Sequence, residues 1–236
     1  MIIITIMQLE KKRKENKFML GDALMNKELE SNMVVSVEKK SNTYIYKIIK
    51  RIFDLLCSII GLVFLIPITI IVKVLYMITG DFKSIFFTQK RIGINGKEFR
   101  LFKFRTMMPN ADQELKRLLK ENKELNKEYK KNKKLKNDPR ITKVGKILRK
   151  ASLDELPQVL NILVGSMSVI GNRPYLPREK EDMGKDYDII VSSKPGLTGY
   201  WQVSGRSNTT FGQRLKLEKY YSENCSLKMD IKIFFK

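Results

Sequence analysis

Leu55-Leu56-Cys57-Ser58-Ile59-Ile60-Gly61-Leu62-Val63-Phe64-Leu65-Ile66-Pro67-Ile68-Thr69-Ile70-Ile71-Val72 runs for eighteen residues without a charge. As a straight helix it is roughly 27 Å long, close to the hydrocarbon thickness of a bilayer. A buried core helix is the competing reading, but few soluble helices are apolar on every face over that length. Pro67 removes one backbone hydrogen bond and is expected to break or kink the helix. Both flanks are basic: Lys47, Lys50 and Arg51 before it, Lys73, Lys83, Lys90 and Arg91 after it. A single crossing normally biases Lys and Arg toward one side. Here both ends ask for the same side, so the expectation is a helix that enters, breaks at Pro67 and returns. A tilted single span is the alternative.

The rest of the 236 residues can hold one sizeable core. Lys plus Arg total 46 against 25 Asp plus Glu, a formal charge of +21. That excess calls for an anionic partner: phosphorylated metabolites, nucleic acid or an anionic lipid surface. A nucleic-acid binder accounts for the charge and leaves the apolar segment unexplained, so no nucleic-acid partner is expected. The chain has no histidine, which excludes His triads, His zinc sites and His general bases. Cys57 and Cys225 are too few for a disulfide framework or a thiolate zinc site. Residues 1–43 read as a poorly ordered extension, residues 44–80 as the membrane-associated helix and residues 81–236 as a cytosolic domain.

Within that domain, Ile85-Phe86-Phe87-Thr88 and Phe99-Arg100-Leu101-Phe102-Lys103-Phe104-Arg105 flank Gly93-Ile94-Asn95-Gly96, which predicts a β-hairpin. The two-residue period sets Lys103 and Arg105 on one face, either as a solvated basic face or as a pair of phosphate-facing cations. Residues 111–136 lack Gly and Pro and predict one helix stopped at Asn137-Asp138-Pro139. Between residues 116 and 150 there are 15 basic and 4 acidic residues, a solvated face with some capacity to meet anionic headgroups at about 1 kcal/mol each.

Ser152-Leu153-Asp154-Glu155-Leu156-Pro157-Gln158 holds adjacent carboxylates. Ser152-x-x-Glu155 is a capping-box pattern, and Asp154 is itself a candidate N-cap, so on pattern alone the pair reads as a helix start. A helix N-terminus also lowers a carboxyl pKa, which predicts an ionised Asp154 fit to be a nucleophile or metal ligand. Gly171-Asn172-Arg173-Pro174 offers an arginine on a turn. Lys194 to Arg206 is Gly-rich, carries the only Trp, Trp201, and ends in a second arginine. No Walker A lysine motif or GxGxxG follows a predicted strand.

In order, these segments resemble the monotopic polyprenyl phosphoglycosyl transferases, the bacterial sugar transferases that start surface-polysaccharide synthesis. The resemblance spans roughly residues 47–236. It is carried by Lys50-Arg51-Ile52-Phe53-Asp54, Phe86-Phe87-x-Gln89-x-Arg91-x-Gly93, Lys103-Phe104-Arg105-Thr106-Met107, Asp138-Pro139-Arg140-Ile141-Thr142, and the Asp154-Glu155 segment. Met167-Ser168-Val169-Ile170-Gly171-x-Arg173-Pro174 and Pro195-Gly196-Leu197-Thr198-Gly199 through Gly205-Arg206 complete it.

The resemblance implies an α-rich α+β fold, with a re-entrant helix broken at Pro67 and a small catalytic domain, including a short hairpin, on the cytoplasmic face of the cell membrane. It implies transfer of a sugar 1-phosphate, Gal or Glc, from a UDP-sugar to undecaprenyl phosphate with Mg²⁺, releasing UMP. That is the first membrane step of capsule or exopolysaccharide synthesis. Asp154 would form an aspartyl-phosphosugar intermediate and Glu155 would bind or orient Mg²⁺. Lys103, Arg149, Arg173 and Arg206 would hold phosphates, and Asp230 would complete the polar site. Asn172 stands where the family usually has proline, and the absence of a multi-span N-terminal region implies the minimal form. The alternative function is a basic, non-catalytic, membrane-anchored adaptor of a polysaccharide assembly complex.

Overall fold

The computed structural model describes residues 44–132, 135–205 and 209–236; the expected N-terminal extension lies outside them. Helix α1, Tyr44–Ile78, is 35 residues long with Pro67 inside it. Only 17% of its most apolar 18-residue stretch is buried, so most of it has no protein cover, unlike the core helix of a soluble protein. The buried positions form one stripe: Asp54, Ser58, Leu65, Val72 and Tyr76, with half-buried Gly61 and Ile68 between them. Steps of three and four residues keep all of these on one face. Ile59, Ile60, Val63, Phe64, Ile66, Ile70 and Ile71 lie outside the stripe, each more than half exposed.

The remainder of the chain is mostly helical. Strands β1, Phe86–Ile92, and β2, Glu98–Phe104, form the expected antiparallel hairpin, in register Phe86↔Phe104 to Ile92↔Glu98. Its turn has Asn95 at φ 54° and Gly96 at φ 77°, the left-handed conformation that Asn-Gly adopts readily. Helices α2, Ala111–Glu121, and α3, Lys123–Asn132, replace the single helix expected over 111–136. The break is at Asn122, φ −123° and ψ 108°, whose Oδ1 accepts the N–H groups of Glu124 and Leu125 at 2.9 and 3.0 Å. A side-chain acceptor has displaced two helical carbonyls.

Helix α4, Lys143–Lys150, is capped by Thr142, whose hydroxyl accepts from Gly145 N. A 3-10 segment, Leu153–Gln158, leads into α5, Val159–Leu163. Strand β3, Ser168–Ile170, then pairs in parallel with β4, Gly196–Thr198, across the short helices α6, Lys180–Met183, and α7, Tyr187–Val191. The sequence reading did not foresee this sheet. Gly196 makes it possible, since a Cβ there would lie 2.1 Å from Gly171 N. The glycine-rich run therefore serves backbone-to-backbone approach at this point. Helices α8, Tyr200–Ser204, α9, Phe211–Asn224, and α10, Leu227–Phe234, complete the fold.

Three apolar clusters hold these elements together. Leu65, Val72 and Tyr76 of α1 pack with Ile85, Phe104, Val144, Leu148 and Val159, so the long helix is itself part of the core. Each such side chain contributes about 1.5–3 kcal/mol on burial. A second cluster around Leu101, Ile162, Met167 and Tyr221 packs beneath β3, and a third joins Tyr175, Ile190 and Phe211. Asn172 is buried and donates to Ile190 O at 3.0 Å and Ser222 Oγ at 2.6 Å.

Polar ties fix both ends of the α1 stripe. Asp54 accepts from Ser168 Oγ and Val169 N at 2.9 and 2.8 Å. Arg51 donates to the carbonyls of Ile162 and Leu163 at the end of α5, both at 2.7 Å. At the other end, Tyr76 donates to the carbonyl of Arg105. Asp54→Ala would leave the Val169 amide and Ser168 hydroxyl buried without an acceptor. The expected loss is about 2–4 kcal/mol, measured by thermal unfolding in detergent micelles beside the wild type.

Candidate active site

The 3-10 segment that carries the carboxylates is only six residues long, and Ser152 before it has φ 56° with no side-chain cap hydrogen bond. The capping box read from Ser152-x-x-Glu155 does not form. The left-handed turn at Ser152 instead reverses the chain out of α4 and packs the segment against β2, bringing Lys103 to the pair. Lys103 Nζ lies 2.6 Å from Glu155 Oε1 and 3.9 Å from Asp154 Oδ2.

Asp154 is 8% exposed and Glu155 is half-buried. Burial pushes the Asp154 carboxyl above its ordinary range; the Lys103 and Arg149 charges pull it down and the Glu155 charge pushes it up. The lowered value expected from a helix N-terminus is therefore reversed. A short 3-10 segment has little macrodipole, and desolvation outweighs it. Glu155 differs: partial burial opposes its ionisation, but Lys103, Arg173 and Arg91 outweigh that and hold it below the usual carboxylate range. Two neighbouring carboxyls are thus pushed apart by their surroundings.

Around them stand cations. Arg149 donates through Nε to Thr106 Oγ1 at 3.0 Å, and its charge acts on Asp154. Arg91 and Arg173 line one small polar cleft with Lys103, Glu155, Gln158 and Gln202. Arg91 was quoted in the motifs but not foreseen as a site residue. It is 8% exposed, donates to Pro174 O at 3.0 Å and Gln89 Oε1 at 2.8 Å, and is lowered to about 10 by burial and by the Arg173 charge. Arg214, also unforeseen, lies over the Trp201 ring at 4.6 Å and is lowered by burial and by Arg173. Among the described residues the Nε atoms of Arg91, Arg173 and Arg214 are buried without acceptors, and Gln202 Oε1 is buried without a donor. The cleft's enclosed volume is about 20 Å³, room for about one water.

Two expected members are elsewhere. Arg105 pairs with Asp81 at 2.9 Å and donates to Ser84 O at 2.7 Å, with its guanidinium over the Tyr76 ring. It ties the end of α1 to the hairpin and does not join the carboxylates. Asp230 accepts from Lys50 at 2.5 Å, Tyr46 at 2.9 Å and Tyr221 at 2.7 Å. It anchors α10 to the start of α1. Motif order gave these residues a common site; three-dimensional placement does not. Arg206 lies outside the described residues.

The family described as "Bacterial sugar transferase" matches residues 45–236. The chain belongs to the bacterial sugar transferase family. The exopolysaccharide production protein ExoY of Sinorhizobium fredii is 44% identical over 187 residues, 79% of this chain and 82% of that one. The undecaprenyl-phosphate galactose phosphotransferase of Salmonella typhimurium is 42% identical over 190 residues, 80% of this chain but 40% of that protein. The UDP-glucose:undecaprenyl-phosphate glucose-1-phosphate transferase of Klebsiella pneumoniae is 33% identical over 198 residues, 80% of this chain and 39% of its own. The chain thus spans most of ExoY and about two fifths of the two longer transferases.

Behind the arginines lies Glu218, 1% exposed, which accepts from Arg173 N at 2.8 Å. Burial pushes it up to about 8, against the pull of that N–H and of the Arg173 and Arg214 charges. The folded form therefore keeps a proton that an unfolded glutamate, at the usual 4.5, has lost. Stability is expected to fall as pH rises from about 4.5 to about 8 and to level off above that. Glu218→Gln should flatten the slope, gaining at least about 1 kcal/mol on the wild type between pH 5.5 and pH 8.5. Chemical denaturation of both proteins at the two pH values measures the difference.

Proposed function

We propose that this protein transfers a sugar 1-phosphate from a UDP-sugar to undecaprenyl phosphate and releases UMP, in exopolysaccharide or capsule synthesis. The observation that carries the reading is a buried aspartate beside an ionised glutamate, with Lys103, Arg149, Arg91 and Arg173 around the pair. Family membership and the names of the relatives give the substrate class. The galactose and glucose transferases among them favour Gal or Glc as the sugar.

In the first step an Asp154 carboxylate oxygen attacks the β-phosphorus of the donor. A bond forms from Asp154 to phosphorus, the bond from phosphorus to the bridging oxygen breaks, and UMP leaves with that electron pair. In the second step an oxygen of the lipid phosphate attacks the same phosphorus and Asp154 leaves as a free carboxylate. Both reactants are anions, so the cations must offset their repulsion. Lys103 is poised to neutralise the pair, and Arg91 and Arg173 offer planar forks to the phosphates. The covalent intermediate lets two bulky substrates use one site in turn.

Mg²⁺ fits this donor set. Among the described residues no group of three or more His, Cys, Asp or Glu gathers to cage a metal. Mg²⁺ commonly takes one or two carboxylates and completes its shell with substrate phosphates and water. Asp154 and Glu155 would hold it, with Lys103 displaced toward phosphate, and it would supply charge neutralisation at the reacting phosphorus.

Support for the membrane placement comes from the two faces of α1. One face offers bare Ile, Val and Phe to hydrocarbon, and the other is fastened at both ends to polar groups of the same domain. A helix bound in that way cannot carry its far end across a bilayer without dragging the domain's polar groups into lipid. We therefore favour a helix bent at Pro67 that enters and leaves by the cytoplasmic leaflet. Cysteines engineered at positions 47 and 79, each in a Cys57→Ser, Cys225→Ser background, should react alike with an impermeant maleimide only after the cytoplasmic face is opened. Labelling from opposite faces would mean a single span.

With donor alone, the wild type should exchange labelled UMP into the UDP-sugar, because the first step is reversible without acceptor. Asp154→Asn should abolish this exchange and overall turnover by at least about 10³-fold, the scale of losing an essential nucleophile. Turnover that survives in Asp154→Asn would reject the covalent route.

A further inference from the structure

The largest cavity among those described is not at the carboxylates. It measures about 430 Å³ and opens beside the first turns of α1, and it shares no lining residue with the active-site cleft. Lys47, Lys50, Arg51 and Lys194 stand in its wall against one carboxylate, Asp54. That carboxylate is committed to Ser168 and Val169, Lys50 is paired with Asp230, and Arg51 is held by the end of α5. Lys194 is different. Its ammonium makes no hydrogen bond or ion pair among the described residues; burial disfavours its charge, and the attraction of Asp54 is opposed by repulsion from Arg51 and Lys50. Ser193 Oγ is buried in the same wall without a hydrogen-bond partner among the described residues. A half-buried, unpaired cation among other cations is an arrangement that an anion would stabilise.

The surroundings say which kind of anion. Ile45, Ile48, Ile49 and Ile52 project bare from the same turns of α1 that line the cavity. Helix α10, joined to those turns through Asp230 and the edge-to-face contact of Phe234 with Phe53, exposes Ile231, Phe234 and Phe235. Basic cavity and apolar rim are therefore contiguous. A soluble phosphate would use the first and leave the second bare; an amphiphile would use both.

We propose that this cavity is a second lipid site, holding the phosphodiester headgroup of an anionic bilayer phospholipid on Lys194 and Lys47, with the acyl chains against the apolar rim. Its occupant is distinct from either substrate, and it fixes the depth and tilt at which the domain rests on the leaflet. The inference depends on α1 lying in the membrane, not on the chemistry at Asp154.

Native mass spectrometry of the full chain in mild detergent, titrated with phosphatidylglycerol or phosphatidylcholine, tests it. The wild type should retain one phosphatidylglycerol in preference to phosphatidylcholine. Lys194→Glu should weaken that binding by at least about tenfold, the scale of reversing one interfacial charge. Lys194→Arg should keep it, and Lys116→Glu, the same charge change on exposed α2, should leave it within about twofold. Equal losses in Lys194→Glu and Lys116→Glu would overturn the site in favour of diffuse attraction. Displacement of the lipid by millimolar inorganic phosphate would overturn it in favour of a soluble anion. Preferential retention of undecaprenyl phosphate would overturn it in favour of an acceptor site. Flotation on pure phosphatidylcholine vesicles tests membrane attachment separately: Lys194→Glu should float as the wild type does, and a wild type that fails to float would remove the premise itself.

Discussion

A helix with bare aliphatic residues on one side and a fastened stripe on the other constrains everything else in this molecule. Asp54, Ser58, Leu65, Val72 and Tyr76 belong to the protein interior, while their neighbours around the helix have no protein cover. The buried acid at the start of the stripe is satisfied by the β3 backbone and a serine, so α1 cannot rotate or slide without stranding a charge. The first core cluster runs from Leu65 and Val72 through Phe104 to Val144, Leu148 and Val159. These residues flank the carboxylate segment in the chain or lie beside Lys103. The position of the carboxylates relative to the bare apolar face is thus set by side chains of the helix itself.

Much of this was legible in the sequence where a local signal existed. Eighteen uncharged residues declared the long helix, and Asn95-Gly96 declared the hairpin, because a left-handed turn leaves a residue-level mark. The carboxylate pair, Lys103, Arg149 and Arg173 were named from motifs, and the fold gathers them in one region. What failed needed distance information. The β3–β4 sheet pairs two three-residue strands in parallel, with no turn between them to announce the pairing. Arg105 and Asp230 sit in motif order with the others, yet each is occupied in fastening α1. Arg91 and Arg214 gave no periodic signal, since their importance comes from being buried near Arg173, which strand and helix patterns do not report.

Asp154 departs from the helix-start expectation for a different reason. A macrodipole lowers a carboxyl at an exposed helix start, where there is a regular helix and solvent around the group. The six-residue 3-10 segment supplies neither. Desolvation raises Asp154, while Lys103 takes its short contact with Glu155 and leaves Asp154 at 3.9 Å. In the proposed reaction this asymmetry would serve the nucleophile: a carboxylate less tightly held by its own lysine is freer to form a bond elsewhere, and its weaker hydration lowers the cost of bringing it to an electrophile.

The arginines supply the opposing half of that logic. Arg91, Arg173 and Arg214 repel one another, and each has a buried Nε with no acceptor. In the free protein this is an unfavourable arrangement, tolerated because Trp201, Pro174 O and the surrounding packing hold the side chains in place. A diphosphate arriving at such a cluster relieves repulsion as well as forming new contacts, so its binding is stronger than the contacts alone would give. In the proposed reaction the same relief would be available to the developing charge on the departing nucleotide. Glu218 sits behind this group as a largely protonated acid, bound to the Arg173 backbone but too desolvated to neutralise the guanidiniums. An ionised glutamate at that position would satisfy the arginines internally and weaken their hold on substrate. Keeping it protonated leaves the positive charge facing the cleft, where an anionic ligand can use it.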